Sequence, residues 1–194
     1  MNRRATVSRK TRETSVEITL DLDGIGKTSV ETGVGMFDHL LTSLAHHAMI
    51  DLVVRTEGDL HIDEHHTVED TALVFGSAID EALGDRSGIT RFASATVPMD
   101  EAIATCVTDA GGRPYAVLDL TFGRHRIGTL GLQMIPHALD SLIRTSRSTV
   151  HLSAYGRNDH HIAEAAFKAY GIALRGAASL DPRRQGVPST KGTL

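Results

Sequence analysis

Two histidines and a glutamate fall within five residues in Asp63-Glu64-His65-His66-Thr67-Val68-Glu69-Asp70. Imidazole and carboxylate at that density read as metal-ligand chemistry. On a helix, Glu69 lies three residues after His66 and four after His65, so it shares a face with either one. The two imidazoles point about 100° apart, which lets one short segment feed two metal ions rather than chelate a single one. Asp63 or Glu64 can cap the turn that carries them. An isolated HHxxE is a weak signal, because histidine and glutamate are common on helix surfaces. This one recurs: Asn158-Asp159-His160-His161-Ile162-Ala163-Glu164 repeats the capping residue, the paired histidines and the spaced glutamate at the head of another helical run.

The elements around these motifs follow from the spacing of apolar residues. Residues 1 to 12 are basic and hydroxyl-rich, as in a flexible or edge segment. Val16 to Leu22 then alternates as a strand, and Asp23-Gly24-Ile25-Gly26 makes a turn, after which Lys27 to Glu31 is expected to return antiparallel as a hairpin. Phe37, Leu40, Leu41 and Leu44 recur at helical spacing to about His47. Ile50 to Arg55 reads as a strand and Asp59 to Ile62 as a short one. The first HHxxE helix then runs to Gly84.

The second half rereads the first. Glu13 and Glu101, Asp21 and Asp109, and Gly24 and Gly112 are each 88 residues apart; His39 and His137 are offset by 98, and the histidine pairs by 95. Colinear offsets of this kind are what a duplicated unit with loop insertions leaves behind. The expected fold is α+β: a single domain over residues 1–194, made of two homologous halves, about 1–90 and 91–180. Each half supplies an antiparallel sheet of three or four strands and two helices, with the helices buried between the sheets. Residues 181–194 form a basic Pro/Gly-rich tail, a composition usual in disordered termini.

Duplication doubles each candidate ligand, giving His39, His65, His66 and Glu69 from one half and His137, His160, His161 and Glu164 from the other. Eight such donors without thiolate suit two ions of Mn²⁺ or Fe²⁺, with Zn²⁺ as another fit. His46, His61, His125 and His151 lack partners in the repeat. His47, two turns after His39, faces the same way without being counted as a ligand. The net charge of −4 and pI near 6.2 argue against a nucleic-acid or membrane-surface partner. With Cys106 as the single cysteine, no internal disulfide can form, and no long apolar run is present; a cytoplasmic protein is the expectation.

Taken together, Gly35-Met36-Phe37-Asp38-His39, the two HHxxE stretches with Ala165-Ala166-Phe167-Lys168, and Pro188-Ser189-Thr190-Lys191-Gly192 closely resemble the imidazoleglycerol-phosphate dehydratase family over nearly the whole chain. The resemblance implies a duplicated ribosomal-S5-like unit and two Mn²⁺ per active site. It also implies a 24-subunit homo-oligomeric shell with sites at subunit interfaces. The eight residues above become the metal ligands. Glu13, His47, Arg91, Arg113, Lys168, Ser189 and Lys191 become substrate contacts, with Glu13 and a metal-bound water the candidate acid/base groups. The implied reaction is a histidine-biosynthetic lyase step. A metal-bound imidazolate expels the hydroxyl next to the ring, a proton leaves the adjacent carbon, and imidazole-acetol phosphate forms through its enol. His46, Pro136 and Phe92-Ala93 depart from the family pattern, but none removes a ligand. Two other classes compete. A dinuclear metal-dependent phosphoesterase would use similar donors; a metal-stabilised RNA-binding or storage module is disfavoured by the acidic pI.

Overall fold

A computed structural model describes residues 3–194; Met1 and Asn2, where the expected first half begins, lie outside the described residues. The first half comprises β1 (Arg4–Lys10), β2 (Thr14–Asp21), β3 (Thr28–Glu31), α1 (Gly35–Ala48), β4 (Asp51–Gly58) and α2 (His65–Leu83). The second comprises β5 (Phe92–Met99), β6 (Ala102–Asp109), β7 (Tyr115–Leu120), the short β8 (Arg126–Ile127) and β9 (Leu130–Gly131), α3 (Met134–Thr145), β10 (Thr149–Tyr155) and α4 (Asp159–Ala178). The sheets run β1-β2-β4-β3 and β5-β6-β10-β7, the same order once the inserted β8–β9 hairpin is set aside.

Each sheet is antiparallel over three strands and gains a parallel fourth at its edge. This corrects the expected hairpin at Lys27–Glu31. β3 does not pair with β2; it lies parallel to β4, with Thr28 opposite Leu52 and Glu31 opposite Arg55. The cause is α1, which carries the chain across the sheet between β3 and β4, and a strand–helix–strand crossover sets its two strands parallel. The same crossover through α3 makes β7 parallel to β10. Asp59–Ile62 is likewise a turn and not a strand, closed by the Ile62 N–H donating to the Asp59 carbonyl at 2.8 Å.

Alternation decides which side of each sheet faces inward. Val16, Ile18 and Leu20 of β2 and Ala102, Ala104, Cys106 and Thr108 of β6 are buried, and their neighbours face out. α2 covers the first sheet and α4 the second, while α1 packs against α4 and α2 against α3, so the helices fill the space between the sheets. The inner face of β6 is built of small residues, and alanines dominate the buried face of α4, which lets that helix lie close to its sheet. Cys106 is fully enclosed in this layer, and burial pushes its thiol up to about 12. It packs rather than reacts.

Two glycines set the helix crossings, and they too are 95 residues apart. A Cβ on Gly76 of α2 would fall on the Leu142 carbonyl oxygen and Thr145 Oγ1 of α3 and lie 2.9 Å from Ser146 N. A Cβ on Gly171 of α4 would strike the Leu44 carbonyl of α1. Backbone cannot swing aside as a side-chain tip can, so either helix pair would have to separate. Gly76→Ala and Gly171→Ala are each expected to cost about 1–3 kcal/mol in denaturant unfolding. Wild-type stability in both variants would show that the crossings have slack.

Candidate active site

The histidine pairs stand at the first turns of α2 and α4, and local hydrogen bonds hold those turns in place. Asn158 caps α4, its side chain accepting from His160 N at 3.0 Å; Asp63 does the same for His65 N at 2.8 Å. Glu64 is not a cap. Its Oε1 accepts from Gly131 N at 2.8 Å and its Oε2 from Arg126 at 3.0 Å. Burial alone would raise the Glu64 carboxyl, but the Gly131 N–H and Arg126 hold it below the usual carboxylate range. Asp159, at the equivalent place in the second half, accepts from Gly123 N at 2.8 Å and Arg124 N at 2.9 Å. The residues just before the two histidine pairs thus grip the inserted segment 121–131 from both halves. Asp70 closes the anchoring of α2 by accepting from Arg9 and Thr14 of the first sheet. At α1, Asp38 takes the Thr32 N–H at 3.0 Å and hydroxyl at 2.5 Å, which fixes the turn that carries His39.

Helices held this way produce two matching clusters, and each draws on both halves. In the first, Glu164 Oε2 lies 3.0 Å from His39 Nε2 and 3.1 Å from His160 Nε2. In the second, Glu69 lies 3.4 Å from His65 Nε2 and 3.5 Å from His137 Nε2. In each cluster the three donor atoms lie within 4.8 Å of one another. The repeat maps one cluster onto the other: His39 on His137, His160 on His65, Glu164 on Glu69. Each glutamate thus pairs with the first histidine of its motif, four residues back, and not with the second.

Donor chemistry fits a divalent cation. Two imidazoles and one carboxyl group form each cluster, and among the described residues His137 Nε2 is enclosed without a hydrogen-bond partner while it faces Glu69. An enclosed imidazole nitrogen left unpaired costs free energy that a bound cation would recover. Burial would raise the Glu164 carboxyl, but hydrogen bonds from Lys168 and His39, with their charges, hold it down to about 2, so it is a carboxylate at any working pH.

His66 and His161 stand apart from both clusters. Their rings are turned 78° and 86° from those of His65 and His160. His66 Nδ1 lies 3.0 Å from Asp59 Oδ2, and Glu13 is 3.8 Å from its Nε2. His161 Nδ1 lies 2.9 Å from Glu101 Oε2. The His161 hydrogen bond, reinforced by backbone N–H donors, holds the Glu101 carboxyl at about 2.

The remaining expected contacts divide between two places. Arg91, Arg113, Ser189 and Lys191 line one cavity of about 300 Å³, which shares no lining residue with either histidine cluster. Arg91 is held there at φ 76°, a backbone conformation rare outside glycine. Its guanidinium donates to Asp109 at 2.7 and 3.1 Å and to the Pro188 carbonyl at 2.8 Å, tying the tail to the second sheet. The tail is therefore docked rather than loose, with Gly88 N donating to Gly186 O at 2.9 Å. Lys168 is elsewhere, bridging to Glu164 Oε1 at 2.7 Å. His47 is close to it: burial, and then the Lys168 charge, lower the His47 pKa. The first half keeps a counterpart of the cavity, about 420 Å³ beside Arg3, 88 residues before Arg91. Arg3 is consumed there by Asp23 and the Ala178 carbonyl, and Ile25 stands where the second half has Arg113.

Asp59, Glu101 and Asp109 were not among the residues expected from the sequence. The 88-residue offset from Glu13 was a signal for Glu101; Asp59 had none, because it lies in a connection that the second half lacks.

Comparison with known proteins places the chain in a family. Residues 32–174 match the family model described as imidazoleglycerol-phosphate dehydratase. The imidazoleglycerol-phosphate dehydratase of Acidiphilium cryptum is 52% identical over 196 residues, covering 100% of both chains. Among solved structures, that of the Staphylococcus aureus imidazoleglycerol-phosphate dehydratase superposes with a TM-score of 0.83 at 28% identity, over 92% of this chain and 99% of its own. That of the Pyrococcus furiosus enzyme in complex with (S)-C348 gives 0.82 at 32%, over 97% and 100%. These relatives lend no support to the phosphoesterase reading. On sequence and fold, the chain belongs to the imidazoleglycerol-phosphate dehydratase family, the hydro-lyases of histidine biosynthesis.

Proposed function

We propose that this chain dehydrates imidazoleglycerol phosphate with two Mn²⁺ ions per active site, in sites completed between chains of a 24-subunit homo-oligomer in the cytoplasm. The observation that carries the reading is the exchange of donors between the halves. Each chain makes two three-donor clusters and turns a third pair of imidazoles, His66 and His161, away from both. Three donors from one chain and one imidazole from a neighbour complete each ion's set. The outer face of the second sheet supports assembly: Phe92, Val107, Tyr115 and Val117 are exposed together there, where the first sheet presents mostly Thr, Ser and charged side chains. Among the described residues, no helix is long and apolar enough to cross a membrane.

Bound in the clusters, Mn²⁺ would supply Lewis acidity toward the ring nitrogens of the substrate. The chain's own residues do the rest. Arg113, Lys191 and Ser189 hold the phosphate, with Arg91 braced behind them by Asp109, a guanidinium fork beside an ammonium point charge. That grip would hold the phosphate end of the glycerol chain while the ring end is held at a donor cluster. Glu13 takes the proton from the carbon that keeps its hydroxyl and returns a proton to the hydroxyl beside the ring, which leaves as water, so that the carboxylate is regenerated. Ketonisation of the resulting enol, with a proton delivered to the ring-adjacent carbon, gives imidazole-acetol phosphate.

The test is direct. Purified protein stripped of metal and then resupplied with Mn²⁺ is expected to convert imidazoleglycerol phosphate to an enolisable ketone, with no release of inorganic phosphate. Phosphate release, or unchanged turnover in the stripped protein, would overturn the reading. The tail gives a second check. A chain ending at Gly186 keeps both donor clusters but loses Ser189 and Lys191, each a hydrogen bond to a charged group worth about 1.5–3 kcal/mol. It is expected to fold, hold metal and show a KM raised by about 100-fold or more. An unchanged KM would exclude the tail from the phosphate pocket.

A further inference from the structure

In both halves a carboxylate holds the outlying histidine by the same ring nitrogen. Glu101 Oε2 meets His161 Nδ1 at 2.9 Å, and Asp59 Oδ2 meets His66 Nδ1 at 3.0 Å. Glu101 is itself fixed, because its Oε1 accepts from Asn158 N at 2.7 Å and Arg157 N at 3.2 Å, the residues that lead into α4. A carboxylate can only accept, so each Nδ1 is the donor; a neutral imidazole then keeps its lone pair on Nε2.

The two carboxylates are not copies of one another. Position 101 corresponds in the repeat to position 13, yet Glu13 faces the opposite nitrogen of His66, Nε2, at 3.8 Å. The difference lies in the connections. Six residues, Asp59 to Glu64, join β4 to α2, whereas only Gly156, Arg157 and Asn158 join β10 to α4, and none of these three is acidic. The longer connection supplies Asp59 for the work that Glu101 performs in the second half. Glu13 is thereby released, with its side chain 55% exposed.

We propose that Asp59 and Glu101 are positioning residues that set the tautomer and direction of His66 and His161, so that each presents Nε2 as a metal donor. This rests on the ligand reading given above. It also assigns different work to the two duplicated glutamates: Glu101 orients a ligand, and Glu13 is left free to move a proton. Carboxylates behind ligating histidines are worth about 10–100-fold in metal affinity.

The test titrates the metal-stripped full-length protein with Mn²⁺ and follows the electron-spin-resonance signal of the free ion. Glu101→Gln and Asp59→Asn are expected to raise the dissociation constant by about 10–100-fold, with two ions per chain still reached at saturation. His161→Ala, run in parallel, is expected to lose stoichiometry as well. Wild-type affinity in both amide variants, together with metal loss in His161→Ala, would overturn this inference alone. Full stoichiometry and affinity in His161→Ala would overturn the ligand reading itself, and this inference with it. A measurement without mutation guards against variants that misfold. In ¹⁵N-histidine spectra of the stripped protein at pH 8.5, His66 and His161 are expected as the Nδ1–H tautomer, and the Nε2–H tautomer at either ring would overturn the proposal.

Discussion

His160→Ala is expected to lose one of the two Mn²⁺ ions per chain and to cut kcat/KM by about three orders of magnitude. The ring lies 3.1 Å from Glu164, in the cluster that Glu164 shares with His39, and its removal leaves two donors where there were three. A Lewis-acidic ion contributes several kcal/mol to the transition state, and about 4 kcal/mol corresponds to three decades at 1.36 kcal/mol each. Folding should survive, because the His160 side chain is 42% exposed and its helix cap rests on Asn158. His65→Ala should behave alike, since the repeat places it in the equivalent cluster. Elemental analysis beside steady-state kinetics decides the matter. Two ions per chain in either variant would remove that histidine from the ligand set.

If the proposed Mn²⁺-dependent 24-subunit assembly holds, stripping the metal is expected to leave small oligomers, and restoring Mn²⁺ to rebuild the shell. If His66 and His161 complete sites on neighbouring chains, only the assembled form offers whole donor sets, and an ion that binds only that form stabilises it by mass action. Protons should act against assembly. The hydrogen bond to Asp59 raises the His66 pKa above its ordinary 6.5, burial opposes this, and the Glu13 and Asp59 charges add to the rise. A raised value means that the protonated pair with Asp59 adds stability below the ordinary pKa and loses it as pH rises through the raised one. The same proton competes with metal for the ring. Release on acidification should therefore set in at a pH above that of an unperturbed histidine. Light scattering with size exclusion, with and without chelator across pH 5.5 to 8.5, reads both effects. A mass that holds constant throughout would show metal and assembly to be independent.

Much of this molecule was legible in its sequence because duplication repeats signals. The offsets of 88, 98 and 95 aligned two halves before any element was placed, and the sheets follow the same order in both. The helices with the histidine pairs begin at His65 and Asp159 as the spacing required. Partners separated by long stretches of chain were not legible. Nothing in Thr28–Glu31 tells a strand which neighbour it will have; the crossover through α1 decides that. Helical spacing left Glu69 open to either His65 or His66, and the choice of His65 follows from His137 arriving on that side from the other half. The outward turn of His66 depends on Asp59, in a connection whose residues read as a strand but fold as a turn. Of the two residues able to cap the first turn of α2, Asp63 does so and Glu64 is spent on Gly131; the β8–β9 insertion has no counterpart in the first half from which that choice could be inferred.

The crossing of donors between halves also governs when a site can exist during synthesis. His39 meets Glu164 across 125 residues of chain, and His65 meets His137 across 72. A nascent chain holding only the first half has the imidazoles of His39, His65 and His66 but neither finished cluster. Glu164 is the last of the donors to be synthesised, after every imidazole of either cluster. An ion met on the way out therefore finds scattered, weak ligands, and strong chelation waits until both halves have folded and docked. If the clusters hold metal as proposed, the duplicated architecture delays strong chelation until both halves are present, a delay that two donor clusters contained within single halves would forfeit.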